Sequence, residues 1–345
     1  MRRLRRALGL AAIAAATVMV LSACVGSSAP EPSASPSPSP TSAFPVTISS
    51  ALGDATIERQ PERVATWGWG ATDAVLALGI QPVAIPAGGD VEGQPTPGAQ
   101  LPWITDAISR IGGTEPVALD ISAGLPIDQL LKARPDVLIA PNSGLTQAEY
   151  DAVTAAGIPV VAYPDEPWGT PWREVITITG EALGLQSAAA SLLDDLDAQV
   201  QAAQNVNPDF AGTTIAYVDE QAETISLHLP ADPRVGLLEE LGFVTPASVR
   251  ALDPGGRAFS VPLAVENLAK IDAEVIVTDA PDDLALEDFV SSPRARLIPA
   301  VRNHAVAGVV GVENAIAMAP TALTVPWILS SLIDRLAGAV AASKN

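Results

Sequence analysis

Cysteine is almost missing from this chain of 345 residues, since Cys24 stands alone. A single cysteine closes no internal disulfide, so no disulfide framework holds the fold. Histidine is nearly as scarce, with only His228 and His304. Capture of a bare metal ion needs several imidazole or carboxylate ligands converging on one point, and two isolated histidines do not supply them. His228 lies in "TISLHL" on the face opposite Ile225, Leu227 and Leu229 and reads as an ordinary strand residue; His304 falls in the turn "VRNHAV". Acyl-transfer chemistry needs a nucleophile beside a histidine and an acid. There is no G-x-S-x-G turn, and neither histidine sits in a motif that marks a base. Basic residues are also few, 19 against 39 acidic ones. That balance excludes a nucleic-acid surface and leaves most of the acids as a solubilising exterior. Aromatics make up 4% of the chain, so where they cluster is informative.

The N-terminal segment has the pattern of an export signal. Arg2, Arg3, Arg5 and Arg6 form a basic n-region, and "ALGLAAIAAATVMVL" is the apolar stretch that follows. It is short for a membrane span and ends in "LSAC", small residues before the lone Cys24. This resembles the lipobox of bacterial lipoproteins, which accounts for both the position of Cys24 and its solitude. The expected outcome is a signal over residues 1–23 and a lipidated Cys24 that anchors the chain to the outer face of the cytoplasmic membrane. The Ser/Pro-rich segment 24–43 cannot bury a core and favours an extended chain, a tether reaching roughly 60 Å. Two or more acyl chains make such an anchor stable, so the membrane is touched through lipid only.

About 300 residues remain, more than one compact core usually holds, and two lobes are expected. "RVATW", "TDAVLALG" and "QPVAIP" form a strand–helix–strand unit; "PIDQLLKA" with "PDVLIA" and "QAEYDAVTAAG" with "IPVVAY" repeat the pattern. Alternating helices and short apolar strands indicate an α/β lobe with parallel strands over 44–186. The segment 187–207 is then helical without a strand. Leu192, Leu193, Leu196 and Val200 fall on one face, Ser187 is placed to cap it, and "NVNPD" stops it. This is the expected connector, and strands resume in a second lobe over 208–341.

The two halves echo each other. "LPIDQLLKARPDVLIA" lies over "LAVENLAKIDAEVIVT" at an offset of 138 residues, with Leu125, Leu130, Lys132 and Val137 matching Leu263, Leu268, Lys270 and Val275. Asp128 and Asp136 match Glu266 and Glu274 in charge. Any helix–strand unit of an α/β domain could look this way; the alternative is two lobes of related topology, each with an acid at the start of an equivalent helix.

The ordered set "PERVATWGWGATDAVLALGIQPVAI", "IGGTEPVALDISAGLPIDQLLKARPDVLIA", "AAGIPVVAYPDE", "LLEELGF", "VENLAKIDAEVIVTD" and "SSPRARLIPAVRNHAVAGV" resembles the solute-binding lipoproteins of ABC importers for iron–siderophores and vitamin B12. The resemblance runs from Val46 to Leu336. It implies an α/β fold of two lobes, each a small, mostly parallel sheet flanked by helices, joined by one long rigid helix. It also implies a ferric siderophore in the cleft between the lobes, a monomeric carrier, and delivery to an ABC permease and its ATPase. On this reading the protein is not an enzyme, has no cofactor, and supplies no ligand to the iron. The permease-docking acids implied are Asp128 and Glu266, the first shorter by one methylene than the family's usual glutamate. Cobalamin and haem are alternative cargoes, and an envelope hydrolase is the competing class.

Ligands of open α/β sheets sit beyond the carboxyl ends of the strands. That places Trp67 and Trp69, in "WGWG" after the strand "RVAT", at a binding loop. A dinucleotide loop is excluded there because Asp73 takes the position of its third glycine. Core filling is the competing role for these indoles, but Trp103 and Trp168 also fall in expected loops, and flat rigid side chains suit a broad organic ligand. Tyr163 follows another strand, and Asn142 and Ser143 a third. In the second lobe Arg234, Arg250 and Arg257 are candidates against an anionic chelate, although a lone surface arginine usually only solvates. Many tryptophans and few cations favour a near-neutral chelate, such as a ferric hydroxamate, over an anionic catecholate.

Overall fold

The computed structural model describes residues 44–87, 90–91, 94–95, 101–221, 224–256 and 258–345, with 90–91, 94–95 and 221 described by backbone alone. The export signal, Cys24, the Ser/Pro tether and Arg257 therefore lie outside the described residues.

The chain enters through a hairpin, β1 (Val46–Ser50) and β2 (Gly53–Ile57), turning at Ala51 and Leu52. The first lobe then runs β3 (Val64–Thr66), α1 (Ala71–Ala77), β4 (Ala84–Pro86), the small pair β5 (Asp90–Val91) and β6 (Gln94–Pro95), α2 (Pro102–Ile111) and β7 (Val117–Leu119). It continues with α3 (Ile127–Ala133), β8 (Val137–Ile139), α4 (Gln147–Ala155), β9 (Val160–Val161) and α5 (Trp172–Ala182). Its sheet is wholly parallel, in the order β7-β4-β3-β8-β9. Strands β3, β8 and β9 are buried at every residue, because helices cover both faces of such a sheet; that is why they read as unbroken apolar runs.

Helix α6 (Gln186–Val206) leads to the second lobe. There follow β10 (Ile215–Gln221), β11 (Thr224–His228), α7 (Pro233–Glu240), α8 (Ala247–Arg250), β12 (Ser260–Leu263), α9 (Val265–Leu268) and β13 (Val275–Ala280). Last come α10 (Asp283–Ser291), α11 (Pro299–Arg302), β14 (Val306–Val310), α12 (Val312–Ala317) and α13 (Thr324–Ser343). This sheet is mixed, in the order β12-β11-β10-β13-β14: β10, β13 and β14 pair in parallel, whereas β11 and β12 join antiparallel. Both sheets reverse their winding at the centre, between β3 and β8 in one and between β10 and β13 in the other.

The internal echo is structural. Helices α3 and α9 begin at 127 and 265, and strands β8 and β13 at 137 and 275, the same offset of 138. The matched acids before those strands do one job twice. Asp136 accepts hydrogen bonds from the backbone N–H groups of Glu62 and Arg63 at 2.9 and 3.0 Å, and Glu274 from that of Thr214 at 2.8 Å. Each ties the foot of its strand to the start of the neighbouring one.

Helix α6 occupies the segment expected to connect the lobes and spans about 30 Å at the α-helical rise. Leu196 and Val200 are buried and Leu192 and Leu193 pack beside them. Ser187 is not its cap: the helix starts one residue earlier, after Leu185, and has no side-chain cap. Nor is the helix the sole link between the lobes. One apolar cluster runs from Ala74, Trp103 and Ile104 through Leu196 to Tyr217, Val309 and Leu336. Trp103 of α2 meets Trp327 of α13 at 5.5 Å between ring centroids. Helix α13 is long and apolar enough to cross a membrane, but its apolar residues Val325, Ile328, Leu332 and Leu336 are spent in this shared core.

Candidate functional site

A cavity of about 410 Å³ opens at the carboxyl ends of the first-lobe strands, in the size range of small-molecule sites. Each wall follows a strand: Trp67 to Gly70 after β3, Pro86 and Ala87 at β4, Ile121 and Gly124 after β7, Gly144 after β8, and Trp168 after β9. The second lobe closes it with Ile316 of α12. This is the topological switch point at which open α/β sheets bind ligands.

Backbone bonds fasten the walls to each other. The N–H of Trp67 donates to Ile139 O at 2.9 Å, that of Trp69 to Asn142 O at 2.8 Å, and that of Trp168 to Ser143 O at 3.2 Å. Gly68 is required by this arrangement. Its φ is 84°, and a Cβ there would lie 2.3 Å from Asn142 O. Gly144 lets the Trp168 indole lie against the chain, since a Cβ would meet its Nε1 at 2.6 Å. Trp168 itself has φ 60° and is 51% exposed at the mouth.

Two indoles present different surfaces. Trp67 is buried at 8% exposure among Leu125, Leu145 and Tyr163, with an edge on the cavity. Trp69 separates the cavity from a hollow of about 60 Å³ shared with Thr170, Pro233 and Thr321. Its Nε1 is buried and has no partner among the described residues. An unpaired buried donor costs about 1–3 kcal/mol, so an acceptor oxygen on a ligand gains by meeting it.

Two carboxylates line the same cavity. Asp73, in the first turn of α1, is buried and accepts a bond from the Thr321 hydroxyl at 2.6 Å, which links α1 to the segment before α13. Burial pushes its pKa up to about 6, against bonds from Thr321, its own backbone and Trp103. Glu149 closes the capping box of α4: Oε2 accepts from the N–H and hydroxyl of Thr146 at 2.8 and 2.7 Å, and Oε1 from Leu125 N–H at 2.8 Å. Burial raises its pKa, but those bonds outweigh it and hold the group below the usual carboxylate range.

The switch point of the second sheet carries a different chemistry. His228, 3% exposed, donates through Nδ1 to Asp232 at 2.8 Å and through Nε2 to Asp219 at 2.5 Å. Arg234 pairs with Asp232 at 2.9 Å and lies over the Tyr217 ring, whose hydroxyl donates to Asp279 at 2.6 Å. Burial opposes the charge on His228, yet its two carboxylate partners lift it to about 9. Asp232 falls to about 2 against the same burial, through its bonds to His228 and Arg234. Burial, then the Asp219 charge, push Asp279 up to about 7.

Of the expected binding residues, the cavity brings together Trp67, Trp69 and Trp168. Trp103 is not in a loop; it is 3% exposed in α2, packed on Trp327 in the shared core. Tyr163 is 5% exposed and its hydroxyl donates to Leu145 O, so it braces the wall from behind. Arg234 is tied to Asp232, and Arg250 is exposed on α8, bound to Glu239 at 2.9 Å; neither lines the cavity. His228 is no ordinary strand residue but the centre of a buried ionic network. His304 keeps its turn, with φ 58°. Asp128 and Glu266 are exposed in the first turns of α3 and α9, at the matched positions of the repeat. Sequence reasoning passed over Glu149 as a wall residue, although "TQAE" is a legible capping box. Asp73, which in the sequence speaks only against a nucleotide loop, is the second acid of the wall. Among the described residues no cluster of His, Cys, Asp and Glu could hold a metal ion.

A family model described as periplasmic binding protein matches residues 64–309. The ferric enterobactin-binding periplasmic protein FepB of Escherichia coli is 26% identical over 283 residues, 76% of this chain and 83% of that protein. The probable siderophore-binding lipoprotein YfiY of Bacillus subtilis is 25% identical across 66% of this chain and 65% of its own length. Among solved structures, the iron-uptake substrate-binding protein PiaA of Streptococcus pneumoniae, in complex with ferrichrome, superposes with a TM-score of 0.73 at 28% identity. That match covers 86% of this chain and 99% of PiaA.

Proposed function

We propose, from the premise that this chain belongs to the periplasmic binding protein family, that it captures a ferric siderophore outside the cytoplasm and delivers it to an ABC permease. The observation that carries the cargo is the cavity at the first-lobe switch point, walled by three indoles, with one buried N–H left for an acceptor atom. Such walls take a broad organic chelate and offer its iron no ligand. The named relatives are a ferric enterobactin-binding protein, a probable siderophore-binding lipoprotein and a protein solved in complex with ferrichrome, which supports the same class.

The anchor and partners follow from separate features. Cys24 after its small-residue run supports lipidation at the outer face of the cytoplasmic membrane, as does the lipoprotein relative. The exposed acids Asp128 and Glu266, one on each lobe at equivalent positions, support docking onto basic residues of the permease. The carrier acts as a monomer and does no chemistry on its cargo.

The test is a titration of the purified mature chain with ferrichrome, ferric enterobactin, cobalamin and haem, read by intrinsic tryptophan fluorescence. A ferric siderophore should quench saturably at one equivalent, and Trp69→Ala should weaken it at least tenfold, about 1.4 kcal/mol. Saturable binding of cobalamin or haem alone, or turnover of ester substrates without stoichiometric binding, would refute the reading.

A further inference from the structure

The charges around the cavity are unequal. Glu149 and Asp73 place carboxylates on its lining, and among the described residues no cation lines it. The arginines adjacent in sequence to residues of the smaller hollow are both committed. Arg173, beside Trp172, binds Asp197 and Glu240, each at 2.6 Å. Arg234, beside Pro233, engages Asp232 through Nε and Nη2. His228 is held between two aspartates. Among the described residues, the second lobe's switch point therefore satisfies its cations internally. Glu149 cannot turn away, because three hydrogen bonds fix its two oxygens to Thr146 and Leu125.

Resting on the carrier reading above, we infer that Glu149 is a specificity-determining residue, a fixed negative charge that makes the cavity accept uncharged ferric chelates and reject anionic ones. Three hydroxamates cancel the charge of ferric iron, whereas three catecholates leave a complex with a threefold negative charge. A neutral chelate pays no Coulomb penalty beside Glu149 and still offers carbonyl oxygens to the Trp69 N–H. An anionic one is repelled by both carboxylates, in a partly dry site where such terms exceed their value in water. Glutamine can keep the Thr146 bonds of the capping box but turns its NH2 towards the Leu125 N–H, so Glu149→Gln removes the charge together with one hydrogen bond. The salt dependence of the affinity ratio reads the charge alone.

The experiment compares ferrichrome, a neutral trihydroxamate, with ferric enterobactin, an anionic tricatecholate. Both are measured by fluorescence quenching and by iron retained with the protein after gel filtration, at low and at high salt. Ferrichrome should bind at least about tenfold more tightly at low salt, and salt should narrow the gap by screening. Glu149→Gln should narrow the ratio about threefold or more, and Asp73→Asn should act in the same direction. Ferric enterobactin binding as tightly as ferrichrome overturns the charge filter and leaves the carrier reading standing. So does an affinity ratio unmoved by both variants. Binding of neither chelate overturns the carrier reading, and the filter with it.

Discussion

Replacing Asp73 by asparagine removes a charge and keeps an oxygen for the Thr321 hydroxyl, which now accepts that hydrogen bond at 2.6 Å as a carboxylate. Asp73 is buried, and its pKa rises from 3.8 to about 6. A raised carboxylate pKa means that the native state holds its proton more tightly than the unfolded chain. The stability it carries is therefore present at low pH and lost as pH climbs from 3.8 through about 6. At 1.36 kcal/mol per unit, the full loss is about 3 kcal/mol. Roughly half has already occurred at pH 5, so about 1.4 kcal/mol remains between pH 5 and pH 8. The assay is urea unfolding of wild type and Asp73→Asn at intervals across that range. Their difference should shift in favour of the variant by about 1.4 kcal/mol from pH 5 to pH 8. The difference matters more than either curve, because Asp279 and His228 also titrate in the native state and cancel on subtraction. The added amide donors of asparagine shift the whole curve by a constant. A difference that is flat with pH, or that shifts towards wild type, would refute the reading of Asp73 as a buried carboxyl that binds its proton more tightly in the folded chain.

His228→Gln should destabilise the second lobe by about 3–5 kcal/mol, since it leaves Asp219 without its buried cation and Asp232 with Arg234 alone. In wild type the raised His228 pKa gives stability that is present below 6.5 and lost as pH rises through about 9; unfolding from pH 6 to pH 10 should show this slope and the variant should lack it. Asp128→Ala and Glu266→Ala should leave cargo affinity unaltered and lower uptake in cells that depend on this carrier, and normal import by both would remove them as docking residues.

Much of the first lobe was open to reading because its strands are buried on both faces and its helices end at glycines such as Gly79. The second lobe was less so. Strand β12 carries Pro262 and alternates weakly along the sheet edge, and antiparallel pairing leaves no mark in a run as short as "TISLH". The cavity loops were placed by the rule that ligands sit beyond strand ends. What that rule does not supply is side-chain direction. Trp103 was expected in a loop, yet Pro102 opens a helix, as proline at the first turn can, and α2 carries the indole inward. Arg234 looked like a free cation; its pairing with Asp232 is local in sequence, but the burial that fixes it comes from β10 and β11. Glu149 was hidden by its own helix cap, which explains an acid there without any ligand.

The apolar cluster that runs unbroken from α1 and α2 to α13 also limits how cargo enters. Swinging the lobes apart like a clamshell would wet the faces that Trp103 and Trp327 now share, at a cost of about 25 cal/mol for each Å² of apolar surface exposed. A route past the half-exposed Trp168 leaves that shared core intact. On that route a transporter would read full from empty at the doorway rather than from the spacing of the two halves.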